Sequence, residues 1–390
     1  MTPPAWKTLA LALVATACLA ADARADERPP LPRIPPEGPA VDRHLEQLPP
    51  DWVPALWTDL PPRPALAGPL AVNDHLTRAT ITGQRRLEGA EDIAPGLDGR
   101  LYTGTVDGGI WRIAVTRDGD ARRIVRVATV EGRPLGLDAY SRNILIAAVA
   151  EQGVMAINTR TGRSWVLTDR LDGNLIFFPD ALAVAADGTI YFSEASTLYY
   201  PGFPNDFLDG RPHGRLLRYE PSTRRTSVVA DGLYFANGVA VAPDESYVLV
   251  AESFRTRLTR AWLKGSRAGT TEQFGDWLIN GPDNIRMDGR GRVWIAGSEL
   301  RDDAFDAAVS NADVRRALAA LPPDQQGTVR RPYGFAQVLD RRGRPIFSFH
   351  DPTGRFFAVS SVLPHDRVVT FGSLRDRGVA QVPLPRALAR

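Results

Sequence analysis

The sequence predicts an all-β fold: a six-bladed β-propeller with a proline-rich N-terminal arm and one inserted helix. Three observations predict it. First, the stretches "GAEDIAPGLDGRLYTGT", "FPDALAVAADGTIYFSEAS", "FANGVAVAPDESYVLVAES" and "GPDNIRMDGRGRVWIAGSE" share one frame. A small or turn residue precedes a polar one (Glu91, Asp180, Asn237, Asp283), and an apolar run follows. A turn comes next, at Asp98-Gly99, Asp187-Gly188, Asp244-Glu245 or Arg290-Gly291. Tyr102, Tyr191, Val248 or Trp294 then opens a second apolar run. Second, two weaker copies place Leu135 and Val359 or Ser360 at the polar position. Third, the copies are separated by roughly 45 to 75 residues, the spacing of radially repeated four-stranded blades.

From the start of the chain, Lys7, the apolar run "LALALVATACLA" and the small-x-small triplet Ala23-Arg24-Ala25 read as a signal peptide over residues 1–25. The protein is then expected to be exported, periplasmic or secreted, with a lipid anchor through Cys18 as the alternative. Residues 26–67 are dense in proline, which suits an extended arm and no regular element. Trp52 and Trp57 suggest that its end packs on the body. Residues 68–390 read as the propeller, a single domain. "RLYTGTVDGGIWRIAV" and "GRLLRYEPSTRRTSVVAD" are hairpins turning at Asp107-Gly108-Gly109 and Pro221 to Arg224. The long gap before the sixth copy holds "RDDAFDAAVSNADVRRALAALPP", with the apolar spacing of an amphipathic helix.

Composition removes several chemistries. Cleavage after Ala25 leaves no cysteine, so disulfides, thiolate metal sites and a cysteine nucleophile are excluded from the mature chain. Only Lys264 remains as a lysine. The net charge of +2, with no basic block, argues against nucleic acid as a partner. No later stretch is long enough for a transmembrane helix. G-x-S-x-G, H-E-x-x-H, P-loop and G-x-G-x-x-G motifs are absent. His44, His75, His213, His350 and His365 show no metal-ligand spacing.

In a propeller the innermost strands line one central channel, so the residues of the polar position return at one height around one axis. Glu91, Asp180, Asn237 and Asp283 would converge there. Converging oxygen donors without His or Cys suit a hard divalent cation. The competing reading is that each polar residue caps a loop-to-strand turn.

"GAEDIA", "FANGVAVAPDESYVLVAES", "GPDNIRMD" and "VSSVLPHDRVVTFGSLRDRGVAQVPL" resemble the strictosidine synthase-like group of six-bladed propellers. That group is related to the gluconolactonase/senescence-marker-protein and paraoxonase families. The resemblance implies a divalent metal held by Glu91, Asn237 and Asp283, with Asn284 added by the paraoxonase pattern. Calcium is the first choice, ahead of magnesium, manganese or zinc. A second, structural calcium would involve Asp92. Three departures stand out: Pro179 where relatives carry Asn, Leu135 where paraoxonases carry a catalytic His, and Ser360 where the alkaloid synthase needs a Glu.

The resemblance implies metal-assisted hydrolysis of a small ester or lactone in the channel, with Asp283 as the base. Asp180, Tyr199 and Tyr200 are the expected substrate-binding residues, with Phe203 part of an apolar wall. Two alternatives stay open: a non-catalytic, metal-stabilised binding module, and a lyase or condensing enzyme. The oligomeric state is not readable from the sequence.

Overall fold

The computed structural model describes residues 28–33, 40–115, 121–201, 203–322, 325–326 and 332–389. The expected signal peptide lies outside the described residues. Each copy of the repeat forms one four-stranded antiparallel sheet, its strands joined by short hairpin turns except where helical insertions link the second and third strands of blades 3 and 5. The innermost strands are Ile93–Pro95, Pro134–Ser141, Pro179–Val184, Ala236–Val241, Asn280–Met287 and Val359–His365, here the first strands of blades 1 to 6. Each touches the innermost strand of the next blade, and blade 6 touches blade 1, so the ring is closed. Closure also uses the chain's start. Thr80–Thr82 is the outermost strand of blade 6, paired with Val379–Pro383.

Six apolar clusters fill the six gaps between blades. Ile93, Leu101 and Leu363 join blades 6 and 1; Trp294, Phe349 and Phe371 join blades 5 and 6. Burying one such side chain is worth about 1.5–3 kcal/mol, so every gap contributes to holding the ring.

Both expected hairpins form, between Leu101–Gly104 and Gly109–Val115 and between Gly214–Glu220 and Arg225–Leu233. The single helix expected in the insertion is two: Asp303–Ser310 and Ala312–Ala319. Asn311 divides them, because its side chain accepts the amides of Asp313 and Val314 and so starts a new helix. Two further short helices, Phe203–Asp209 and Arg386–Ala389, have no counterpart in the sequence pattern. Among the described residues no helix is long and apolar enough to cross a membrane.

The arm follows the propeller surface. Arg28 Nη1 donates to the Tyr140 carbonyl at 2.6 Å, and Val41 and Leu45 form bridges to Asn174 and Tyr199. Trp57 ends buried among Phe207, Phe305 and Leu318, its Nε1 donating to the Gly210 carbonyl at 2.8 Å. The arm and the inserted helices thus build a cap over one mouth of the channel.

Candidate active site

The polar position is set by a defect in the sheet. In blades 2 to 6 the first two strands lose register there: Pro179 pairs with Glu194, but Leu182 pairs with Phe192. Ala236 pairs with Glu252 and Val239 with Val250; Pro282 pairs with Gly297 and Ile285 with Ile295. Blades 2 and 6 slip in the same sense at Pro134/Gly136 and Val359/Ser361. One extra residue on the inner strand is a β-bulge, which re-aims a side chain off the sheet.

The bulged residues open onto one cavity of about 370 Å³. Glu91, Leu135, Asp180, Asn237 and Asp283 line it. So do the residues two positions earlier in the frame, Arg133, Phe178, Phe235, Gly281 and Ala358. That is the two-residue period of an extended chain. Tyr200, Phe207, Phe254 and Phe305 complete an aromatic wall on the cap side.

Glycine follows the frame position where two blades come closest. A Cβ on Gly238 would lie 2.4 Å from the Asp283 carbonyl oxygen; one on Gly136 would lie 2.7 Å from that of Asp180. The Asn-Gly pair therefore presses the strand of Asn237 directly against that of Asp283.

The floor is acidic and buried. Glu91, Asp180 and Asp283 are 3%, 3% and 2% exposed. Burial pushes the Glu91 carboxyl up to about 7, with Arg133 pulling it back and Asp92 adding to the rise. Burial, then the charge of Glu91, holds Asp180 and Asp283 well above the usual carboxylate range. Glu91 Oε2, Asp180 Oδ1 and Asn237 Oδ1 are buried without a hydrogen bond. Glu91 Oε2 does lie 2.9 Å from an Arg133 guanidinium nitrogen, an ion-pair contact lacking hydrogen-bond alignment.

Buried oxygens left without donors fit a hard cation. Among the described residues no three His, Cys, Asp or Glu side chains form a metal-holding group. Beside the carboxylates, Asn237 offers an amide oxygen to the same cavity.

Two expected site residues fall outside the cavity. Tyr199 is buried with its ring against His213 at 5.5 Å, and its amide donates to Ser196 Oγ. Asn284 is buried beside Asp283, to whose Oδ1 its backbone N–H donates at 2.9 Å, but it does not line the cavity. Their neighbours Tyr200 and Asp283 line the cavity instead. Phe203 begins a helix, and its side chain lies outside the described residues.

Asp92 is already occupied. Arg286 Nη2 is 2.9 Å from both its oxygens, and Leu137 N–H, Ile93 N–H and Ser361 Oγ also donate to it. A guanidinium supplies the positive charge that a second calcium would. Ser360 has a different part to play: its Oγ donates to the Glu91 carbonyl at 2.7 Å and so fixes the backbone of the first acid. Pro179 is built into the bulge as a paired residue, leaving the adjacent Asp180 to face the channel.

The sequence patterns of two families match the chain: Strictosidine synthase over residues 180–266, and Strictosidine synthase-like, N-terminal, over residues 68–113. The chain is 32% identical over 325 residues to the Arabidopsis thaliana protein Strictosidine synthase-like 4, covering 82% of this chain and 86% of that one. It is 30% identical over 347 residues to the human adipocyte plasma membrane-associated protein, covering 82% and 81%. Among solved structures, a gluconolactonase from Xanthomonas campestris shares the fold at 17% identity with a TM-score of 0.56, covering 91% of this chain and 100% of that one. Regucalcin from Agrobacterium tumefaciens, a calcium-binding protein, does so at 13% and 0.50, covering 78% and 90%. The bulged propeller frame and this similarity along most of the chain together place the protein in the strictosidine synthase-like family.

Proposed function

We propose that this protein is an exported hydrolase of small esters or lactones that depends on a divalent cation, calcium first. The signal is residues 1–25, the arm ends at residue 67, and residues 68–390 carry the activity. One observation carries this reading: Glu91, Asp180, Asn237 and Asp283, far apart in sequence, meet at the floor of one aromatic-walled cavity, where Asp180 and Asn237 present unpartnered oxygens and Glu91 has only its Arg133 ion pair. Glu91, Asn237 and Asp283 would hold the cation, with Asn284 steadying Asp283 through its backbone N–H. The cation would supply Lewis-acid polarisation of the ester or lactone carbonyl.

The chain's own groups do the remainder. Asp283 faces the cavity and would take the proton from an attacking water. Tyr200 and the phenylalanines hold the apolar part of the substrate and exclude bulk water. Asp180 faces the same space and can hydrogen-bond a substrate hydroxyl.

The second reading, a non-catalytic binding module, is favoured by Leu135, an apolar residue at the frame position of blade 2. A condensing enzyme is less well supported, since Ser360 is committed to the Glu91 backbone.

The test is a panel of lactones and aryl esters offered to residues 26–390, with and without chelator. Hydrolysis should vanish with chelator and return with calcium. Asp283→Asn keeps a ligand oxygen and loses the base, so turnover should fall by roughly 10²–10⁴-fold while cation binding survives. Good cation binding with no hydrolysis across the panel would leave the binding-module reading.

A further inference from the structure

The cavity has a second polar end, away from the acidic floor. Arg301 follows the second strand of blade 5, Val293–Leu300, and lines the cavity. Its side chain is only 3% exposed. Nε donates to Asp306 Oδ1 at 2.5 Å and Nη2 to the Pro61 carbonyl at 2.6 Å, which ties an inserted helix and the arm to the blade. Nη1 is buried and has no acceptor. A buried N–H left unpaired costs about 1–3 kcal/mol, more when charged. Nothing in the tethering of the cap requires that third nitrogen.

In the next blade Arg375 comes soon after the second strand, Val368–Ser373, and also lines the cavity. It is exposed, and among the described residues its guanidinium has no ion pair, only its backbone amide being engaged, by Ser373 Oγ. Glu299, the acid on the same wall, already has an interaction partner. Adjacent blades thus each contribute an arginine to the cavity lining. The floor lies deeper. The Arg301 amide bonds the Ile279 carbonyl, and Asp283 is four residues further along that strand, on the order of 10 Å at strand rise.

We propose that blades 5 and 6 form a carboxylate-binding subsite, with Arg301 Nη1 and Arg375 as its donors. The ligand class is an amphipathic ester or lactone: a free carboxylate at this end, an apolar or aromatic body against Phe254 and Phe305, and the reacting carbonyl at the floor. Only the last element rests on the hydrolase reading. A monoanion suits the site better than a phosphate dianion, because a second charge would have to be desolvated in a largely apolar cavity.

Equilibrium binding of 4-phenylbutyrate and its neutral amide, measured by calorimetry in the presence of chelator, tests this without relying on turnover. The carboxylate should bind at least tenfold more tightly than the amide, the usual advantage of a charge-assisted hydrogen bond. Arg375→Gln, at an exposed position, should shrink that preference several-fold. Arg301→Lys keeps the charge but loses the fork and should shrink it further. Should Arg301→Lys not fold, Arg375→Gln decides alone. Equal affinity for acid and amide, or a preference unchanged in Arg375→Gln, overturns the subsite. A preference that appears only with calcium present also overturns it, since the acid would then be sitting at the floor. Hydrolysis of neutral esters with no acid preference sinks the subsite and spares the hydrolase reading. Acid-selective binding without any hydrolysis does the reverse.

Discussion

An Arg133 guanidinium nitrogen lies 2.9 Å from Glu91 Oε2, at the edge of the acidic floor. The two residues come from blades 1 and 2, and both occupy the propeller frame: Glu91 at the polar position, Arg133 two residues before Leu135. Arg133 therefore partly compensates the charge that a cation would compensate fully. Arg133→Met should destabilise the cation-free protein and enlarge the gain in melting temperature on adding calcium. A thermal-shift titration of both proteins measures this. An equal calcium response in the two would show that Arg133 and the cation do not share Glu91.

Gly238 packs tightly between blades 4 and 5. A methyl group there would sit 2.4 Å from the Asp283 carbonyl and 2.5 Å from the Ile285 nitrogen, both backbone atoms. Gly238→Ala should cost about 1–3 kcal/mol, the usual penalty of overpacking a tight contact. Because the displaced strand carries Asp283, cation affinity should fall as well. Urea denaturation gives the first quantity and calorimetry the second. Unchanged affinity with full loss of stability would separate the contact from the site.

His350 offers a pH dependence away from the floor. Its Nδ1 is 2.8 Å from Tyr333 Oη and its Nε2 is 3.0 Å from Ser348 Oγ, and the side chain is fully buried. Burial pushes its pKa down to about 4. The folded protein keeps this ring neutral while the unfolded chain, titrating near 6.5, takes up a proton. The His350 contribution is thus complete above about pH 6.5 and is lost as pH falls toward 4, at up to about 1.4 kcal/mol per pH unit. Urea melts at several pH values should show a shallower decline in His350→Gln over that window. Parallel declines would mean that other groups carry the acid sensitivity.

Much of the fold is legible in the sequence because the repeat carries its own ruler. The polar position, the turn seven residues on and the second apolar run set each blade's register, and that register locates all six innermost strands. The floor follows, since one frame position in a closed ring means one height in one channel. What escapes has no periodic signal. Arg301 and Arg375 lie in irregular chain after the second strands, and the cap's Phe207 and Phe305 come from insertions of one blade each. The break at Asn311 depends on a side-chain cap that the apolar spacing alone does not reveal. Tyr199 and Asn284 show the remaining gap: motif adjacency points to both, yet only their neighbours Tyr200 and Asp283 line the cavity. Arg133 is within reach, standing at the same offset as Phe178 and Phe235, but only the bulge shows that this offset faces inward.

The central claim is that the repeated polar position holds a divalent cation. Calorimetric titration of calcium into the metal-stripped protein, residues 26–390, tests it most directly, with Glu91→Gln alongside. One equivalent should bind to the wild type. At a hundredfold excess over its dissociation constant it should add about 2.7 kcal/mol of stability. Glu91→Gln, which trades an anionic ligand for a neutral one, should remove most of the heat and most of that stabilisation. No saturable heat with calcium, magnesium, manganese or zinc would contradict the claim and leave the four residues as turn caps.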